Sequence, residues 1–209
     1  MGERRGVIGG EGGVRRCSWA GSAPELLAYH DQEWGRPVVA EDAIFERLCL
    51  EAFQSGLSWL TILRKRESFR AAFAGFRIAE VAGFGAADRR RLMSDAGIVR
   101  NRMKIDAAID NARQAREMAE NDESLAALLW SFRPARPRAP RSMADLAAQT
   151  EESRATAREL KGRGFRFVGP TTAYALMQAA GLVNDHLVGC HARGPTGEAQ
   201  AAAVRSMTA

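Results

Sequence analysis

The sequence predicts an all-α protein. Apolar residues recur at three- and four-residue spacing through most of its 209 residues, the pattern of helices with one buried face. Two-residue alternation is nearly absent, and the one short candidate, GFRFVG (164–169), is too brief to build a sheet. A chain of this length buries a sizeable core, as one domain or as two lobes sharing a cleft.

Residues 1–13, MGERRGVIGGEGG, mix charge with glycine and read as a flexible basic tail. They contain no hydrophobic stretch, so they are not a secretory signal. In EDAIFERLCLEAF (41–53), Ile44, Phe45, Leu48 and Ala52 share one helical face. Residues 88–102 and 104–118 carry similar stripes, as do 153–163 and 171–180. The segment RPARPRAPR (133–141) combines proline with arginine and reads as an exposed linker between two helical lobes. Residues 194–209 are small and polar, have no apparent anchor, and are expected to be a flexible C-terminal tail. The folded unit is therefore expected to span 14–193.

The hydrophobic fraction of 46% and charged fraction of 26% are those of an ordinary globular protein. No apolar run approaches the roughly 18–20 residues of a membrane span, so a cytoplasmic protein without a membrane partner is expected. Three cysteines suggest metal binding or plain burial there, not a disulfide framework. A net charge of +5 and a pI of about 9.6 favour a polyanionic partner such as nucleic acid.

Glu51 follows Leu48 by three residues and Ile44 by seven, so a helix places it within or beside the apolar face. A buried carboxylate needs donors, a cation, or protonation at a raised pKa. It is either a structural cap or ion-pair partner, or a functional group. Just beyond it, QSGLSW (54–59) breaks the helical pattern. Gly56 beside Leu57 suits a wedge-like loop, and Trp59 a wall; the alternative is a helix end packed into the core.

In LKGRGFRFVGPTTAYALMQAAGL (160–182), a helix ends near Gly162 or Gly164 and Gly169-Pro170-Thr171 opens the next. The free N–H groups at that start, with Lys161, Arg163 and Arg166 nearby, suit a phosphate. The arrangement resembles the helix-hairpin-helix element of DNA repair glycosylases, which grips a strand's backbone without reading sequence. An ordinary glycine-capped turn is the alternative.

Two cysteines and two histidines form a possible zinc set. His186 and Cys190 are four apart, so one helical turn would point both at one ion. Cys17 and His30 are close enough for a loop to join them. Two Cys and two His complete a tetrahedral structural site with no position left for water. The alternative is four unrelated side chains, the cysteines buried and the histidines in ordinary hydrogen bonds. His191 is a spare candidate that either replaces His186 or faces solvent, and Cys49 looks like core.

Taken together, CSW (17–19), YHDQEWG (29–35), LCLEAFQSGLSWLTILRKRE (48–67), DAGIVRNRMKI (95–105), LLWSF (128–132), GFRFVG (164–169) and MQAAGLVNDHLVGC (177–190) resemble the 3-methyladenine DNA glycosylase I family of the helix-hairpin-helix glycosylase superfamily. The resemblance covers about residues 16–190. It implies one structural Zn²⁺ held by Cys17, His30, His186 and Cys190. It implies that Glu51 and Tyr29 hydrogen-bond an extruded base, and that Trp19 and Trp59 line its pocket. The implied partner is double-stranded DNA carrying alkylated purines, and the implied reaction is hydrolysis of the N-glycosidic bond of 3-methyladenine, with 3-methylguanine as a further candidate substrate. Glu51 is the expected catalytic residue. Leu57 on the Gly56 turn would fill the space left by the base, while Lys161, Arg163, Gly164, Arg166, Gly169 and Thr171 would hold the backbone. No lysine stands out as a Schiff-base nucleophile, so no strand-cleaving step is expected, and the protein is expected to act as a monomer.

The chain departs from the family pattern at Leu26, where another aromatic is expected, and at Ala52 and Phe53, where smaller or polar residues are expected. Phe53 is therefore a candidate for an altered pocket lining. Asp185 is expected to support His186. Three rival readings stand beside this one: a zinc-stapled DNA-binding protein without catalysis, a glycosylase for another lesion, and, more weakly, a metalloenzyme, against which four protein ligands would leave no open catalytic position.

Overall fold

The computed structural model describes residues 6–208. Its helices are α1 (Pro24–Gln32), α2 (Glu41–Gln54), α3 (Trp59–Ala72), α4 (Ile78–Ala82), α5 (Ala86–Ser94), α6 (Arg102–Glu120), α7 (Leu125–Ser131), α8 (Glu151–Gly162), α9 (Pro170–Ala179) and α10 (Arg193–Thr208). The protein is mostly helical, as the apolar spacing predicts. The exception is a short antiparallel pair, β1 (Val7–Gly9) with β2 (Arg15–Cys17), in the register Val7 to Cys17. No described helix is long and apolar enough to cross a membrane.

Helix α2 is the centre of the fold and packs against α3, α4, α6, α7 and α9. Its Ile44, Phe45, Leu48, Cys49, Leu50 and Phe53 are all buried. Surrounded this way, the helix is apolar on more than one face, which explains its continuous hydrophobic run. Phe53 packs on Phe69 at 4.6 Å between ring centroids and on Phe73 at 5.7 Å. It belongs to the core and does not alter the pocket lining. Helix α2 stops where Gly56 takes φ +80°, a left-handed conformation that costs glycine little. Ser58 then caps α3 by accepting from the Thr61 N–H at 3.2 Å.

Residues 88–102 do not form one helix. Asp95 accepts from the Gly97 N–H at 2.7 Å, and Asn101 accepts from the Lys104 N–H at 3.2 Å. These local bonds compete with helix and leave a turn between α5 and α6.

Helices α8 and α9 pack side by side across a tight turn. Gly164 takes φ +87°, and Phe165 and Val168 plug the turn. Buried Asn111 on α6 fastens it, accepting from the Arg166 N–H at 2.7 Å and donating to the Arg166 carbonyl at 3.0 Å. Asn111→Ala would leave both backbone groups unpaired. We expect a loss of about 1–3 kcal/mol, read as a fall of a few degrees in Tm for a chain of this size.

Two expectations are corrected, and a third is refined. The C-terminal segment is helix α10, held by buried Thr196 and Gln200 and by Ala203 and Val204 against the core. The Gln200 amide donates to the Gly35 carbonyl at 3.2 Å. In the expected N-terminal tail, Val7–Gly9 pairs with Arg15–Cys17; residues 1–5 lie outside the described residues. The linker at 133–141 lacks helix, as expected, but is anchored: the Pro140 carbonyl accepts from the Val188 N–H at 2.8 Å, and the Arg138 carbonyl accepts from Arg193 at 2.6 Å.

Candidate functional site

Glu51 projects from buried α2 into a cavity of about 530 Å³, within the range of small-molecule sites. Trp19, Tyr29, Trp34 and Trp59 form its aromatic walls, and Leu26, Met143, Leu146 and Gln178 also line it. The rings are mutually packed: Tyr29 lies 5.3 Å from Trp59 and 6.5 Å from Trp19, and Trp19 meets Trp34 edge-on at 5.0 Å. The sequence places Trp34 near these rings without giving it a role. Gln178, Met143 and Leu146 carry no local signal.

Glu51 is only 5% exposed. Burial pushes its carboxyl up to about 8, and the charge on Arg47 opposes this only in part. Arg47 is itself drawn away to Glu33, at 3.0 Å, where Arg66 binds as well. Glu51 Oε2 has no partner, and neither does the buried indole Nε1 of Trp59. An acceptor and a donor are thus left open around the same cavity, as a site for a planar polar ligand requires. Burial, followed by the neighbouring Glu51, holds the Tyr29 phenol well above its ordinary range, so it remains a neutral donor.

A second groove of about 310 Å³ also touches Glu51. It runs past Gln54, Ser55, Gly56 and Leu57 to Thr171 and Thr172. Leu57 is 42% exposed at the tip of its turn. The first backbone bond of α9 runs from the Ala173 N–H to the Gly169 carbonyl, so the amides of Thr171 and Thr172 lie ahead of it at the positive end of the helix dipole. The cavity, the exposed leucine and the helix start therefore share one surface. The basic residues around the hairpin are not equivalent. Lys161 is exposed, whereas Arg163 pairs with Glu159 and Glu123, and Arg166 pairs with Asp110.

Cys17, His30, His186 and Cys190 are all buried, and their ligand atoms lie within 4.8 Å of one another. His30 Nε2 is 3.2 Å from His186 Nδ1 and 3.4 Å from Cys190 Sγ. The outer nitrogens are occupied: His186 Nε2 faces the Trp34 carbonyl at 3.0 Å, and His30 Nδ1 faces Asp31 at 2.7 Å. That pattern leaves the inner nitrogens bare for a metal. The Cys190 thiol is held well below its usual range by hydrogen bonds, first to Cys17 and then to His186 and His30. The donor set fits a tetrahedral Cys₂His₂ ion.

The geometry corrects the placement of His186, Cys190 and Asp185 and decides that of His191. His186 and Cys190 sit on an irregular loop between α9 and α10, turned by Leu187–Cys190, not on a helical turn. His191 lies outside the cluster and binds Asp31 at 3.0 Å. Asp185 does not support His186; buried, it accepts from Tyr174 and from Gln178 at 2.9 Å, and so steadies a cavity-lining residue.

A larger cavity of about 920 Å³ lies between the linker and α10, but no aromatic ring lines it. The unpartnered carboxylate and indole belong to the smaller one.

The model of the methyladenine glycosylase family matches residues 19–193. The DNA-3-methyladenine glycosylase 1 of Escherichia coli (strain K12) is 45% identical over 179 residues, covering 85% of this chain and 96% of that protein. A crystal structure of a 3-methyladenine DNA glycosylase I superposes with a TM-score of 0.81 at 46% identity, covering 84% of this chain and 98% of that one. The 3-methyladenine DNA glycosylase I of Staphylococcus aureus, solved to explain its recognition of 3-methyladenine, superposes at 0.80 with 34% identity, covering 85% and 96%.

Proposed function

The chain belongs to the methyladenine glycosylase family, and we propose that the Glu51 cavity is the means by which it releases 3-methyladenine from alkylated DNA. It is a DNA glycosylase that removes 3-methyladenine in base repair. The observation that carries the site assignment is a buried carboxylate, unpartnered at Oε2, inside an aromatic-walled cavity.

A base within the stack is out of reach, so the nucleotide is extruded at a cost of roughly a few kcal/mol. Leu57 fills the gap. The amides ahead of α9, with Lys161 and the helix-hairpin-helix turn (Gly164, Gly169, Thr171), hold the backbone, and this contact weakens with salt. Arg163 and Arg166 serve more to secure the hairpin than to bind phosphate, because carboxylates already occupy them.

N3-methylation makes adenine cationic in DNA, whereas the normal base is neutral. The Trp59 and Trp19 faces favour a cation by about 0.5–2 kcal/mol. Ionised Glu51 adds a hydrogen bond to a charged group, worth roughly 1.5–3 kcal/mol. Tyr29 donates a further hydrogen bond. The positive charge also makes the lesion a good leaving group, so binding, extrusion and electrostatics carry most of the catalysis.

Cys17, His30, His186 and Cys190 hold one Zn²⁺ in this reading. It ties β2 and α1 to the loop after α9, and so fixes Trp19, Tyr29 and Trp34. The protein acts as a monomer in the cytoplasm.

Incubation with methylated DNA, followed by chromatography of the free bases, tests the assignment. We expect release of 3-methyladenine with little 7-methylguanine. DNA binding without base release would favour the non-catalytic reading.

A further inference from the structure

The end of α2 is held by a buried lysine that base recognition does not use. Lys104, in the first turn of α6, donates from Nζ to the carbonyls of Phe53 at 2.9 Å and Ser55 at 2.5 Å. The residue is buried, and none of its described partners is a carboxylate. Burying an ammonium without a counter-charge is costly. The compensation is the negative end of the α2 dipole and its terminal carbonyls.

These carbonyls stand at the base of the Leu57 turn. Ser55 directly precedes Gly56, and the Leu57 N–H closes back on the Gln54 carbonyl at 2.6 Å. Above that base the turn is open: a Cβ on Gly56 would meet nothing within 4 Å. Lys104 therefore joins α6 to the foot of the loop whose tip carries an exposed leucine beside the Glu51 groove.

We propose that Lys104 is a positioning residue for base extrusion, fixing the Gly56–Leu57 turn so that Leu57 enters the duplex beside the Glu51 cavity. The proposal rests on the reading of Leu57 as the residue that replaces the base. A lysine that only capped α2 would affect every substrate alike, whereas a positioning lysine affects the substrate whose base must be pulled from a stack.

The test uses poly(dA) methylated with dimethyl sulfate, offered single-stranded or annealed to poly(dT). Release of 3-methyladenine is timed for the parent chain, Lys104→Met, Lys104→Arg and Leu57→Ala. We expect Lys104→Met to slow release from the duplex about tenfold and from the single strand less than about twofold. Leu57→Ala should show the same split, and Lys104→Arg, which keeps the charge, a smaller one. Equal losses on both substrates would reduce Lys104 to a structural cap and overturn the proposal. A split in Leu57→Ala with none in either Lys104 variant would overturn it too, leaving the role of Leu57 intact. No split in Leu57→Ala would remove the reading beneath it. If Lys104→Met does not fold, Lys104→Arg decides by the same comparison.

Discussion

Glu51→Gln should cut release of 3-methyladenine from methylated DNA by about a hundredfold while leaving the fold and DNA affinity close to the parent. The size follows from losing a hydrogen bond between ionised groups, worth about 1.5–3 kcal/mol, in a cavity where little else carries negative charge. Arg47 offsets the burial of the carboxylate only in part, and its Nη2 is bound to Glu33. The amide matches the carboxyl in shape and keeps an acceptor, so the variant isolates charge. Undiminished release would remove Glu51 from the mechanism.

The same residue sets a pH signature. In the free enzyme its carboxyl is pushed up to about 8 by burial, and only the ionised form attracts a cation. Because kcat/KM reports groups of the free enzyme, it should rise with pH up to about 8 and then flatten, and this limb should be absent in Glu51→Gln. Stability runs the other way. The folded pKa lies above the unfolded value near 4.5, so between those two values the folded chain retains a proton that the unfolded chain has released. Stability contributed by the neutral carboxyl is complete below about pH 4.5 and lost as pH passes 8. Glu51→Gln should therefore match its parent near pH 4 and unfold at a higher temperature at pH 9.

The parts of the site visible in the sequence are those whose chemistry contradicts their surroundings. A glutamate on an apolar stripe, a glycine interrupting a helix before a leucine, and Cys/His pairs in an otherwise thiol-poor chain are such contradictions. What stayed hidden depends on contacts between distant segments. Met143 and Leu146 reach the cavity because the preceding linker is tied to Val188 and Arg193. Nothing in an Arg/Pro-rich stretch announces that tie. Helix α10 was illegible for a related reason: its anchors, Thr196, Gln200, Ala203 and Val204, are small or polar and form no conspicuous stripe. Asp185 sits next to a possible metal ligand in sequence, yet its side chain turns to Tyr174 and Gln178. Neighbours along a loop need not share a site, because successive side chains there follow no fixed period.

Cys17→Ser should lower the melting temperature by roughly 8–16 °C and leave the purified protein with well under one zinc per chain, where the parent is expected to carry one. The reasoning starts from connectivity. Cys17 ends β2, His30 lies in the last turn of α1, and His186 and Cys190 flank a turn 156 residues beyond His30. The segments already touch through Arg16 and Asp31, His191 and Asp31, and the His191 N–H on the Arg15 carbonyl, and an ion on all four ligands would add to these, since structural zinc sites contribute folding energy outright. Losing one ligand of four is expected to cost on the order of 4 kcal/mol, and for a chain of this size each kcal/mol shifts Tm by about 2–4 °C. His191→Ala should keep the metal, because His191 binds Asp31 outside the cluster. Four protein ligands leave no coordination position for a reacting water, so base release per folded molecule at low temperature should fall much less than in Glu51→Gln. Its residual fall would measure how firmly Trp19, Tyr29 and Trp34 are held. A parent protein purified without chelators that contains no zinc by elemental analysis would end this account of the cluster while leaving the Glu51 cavity standing.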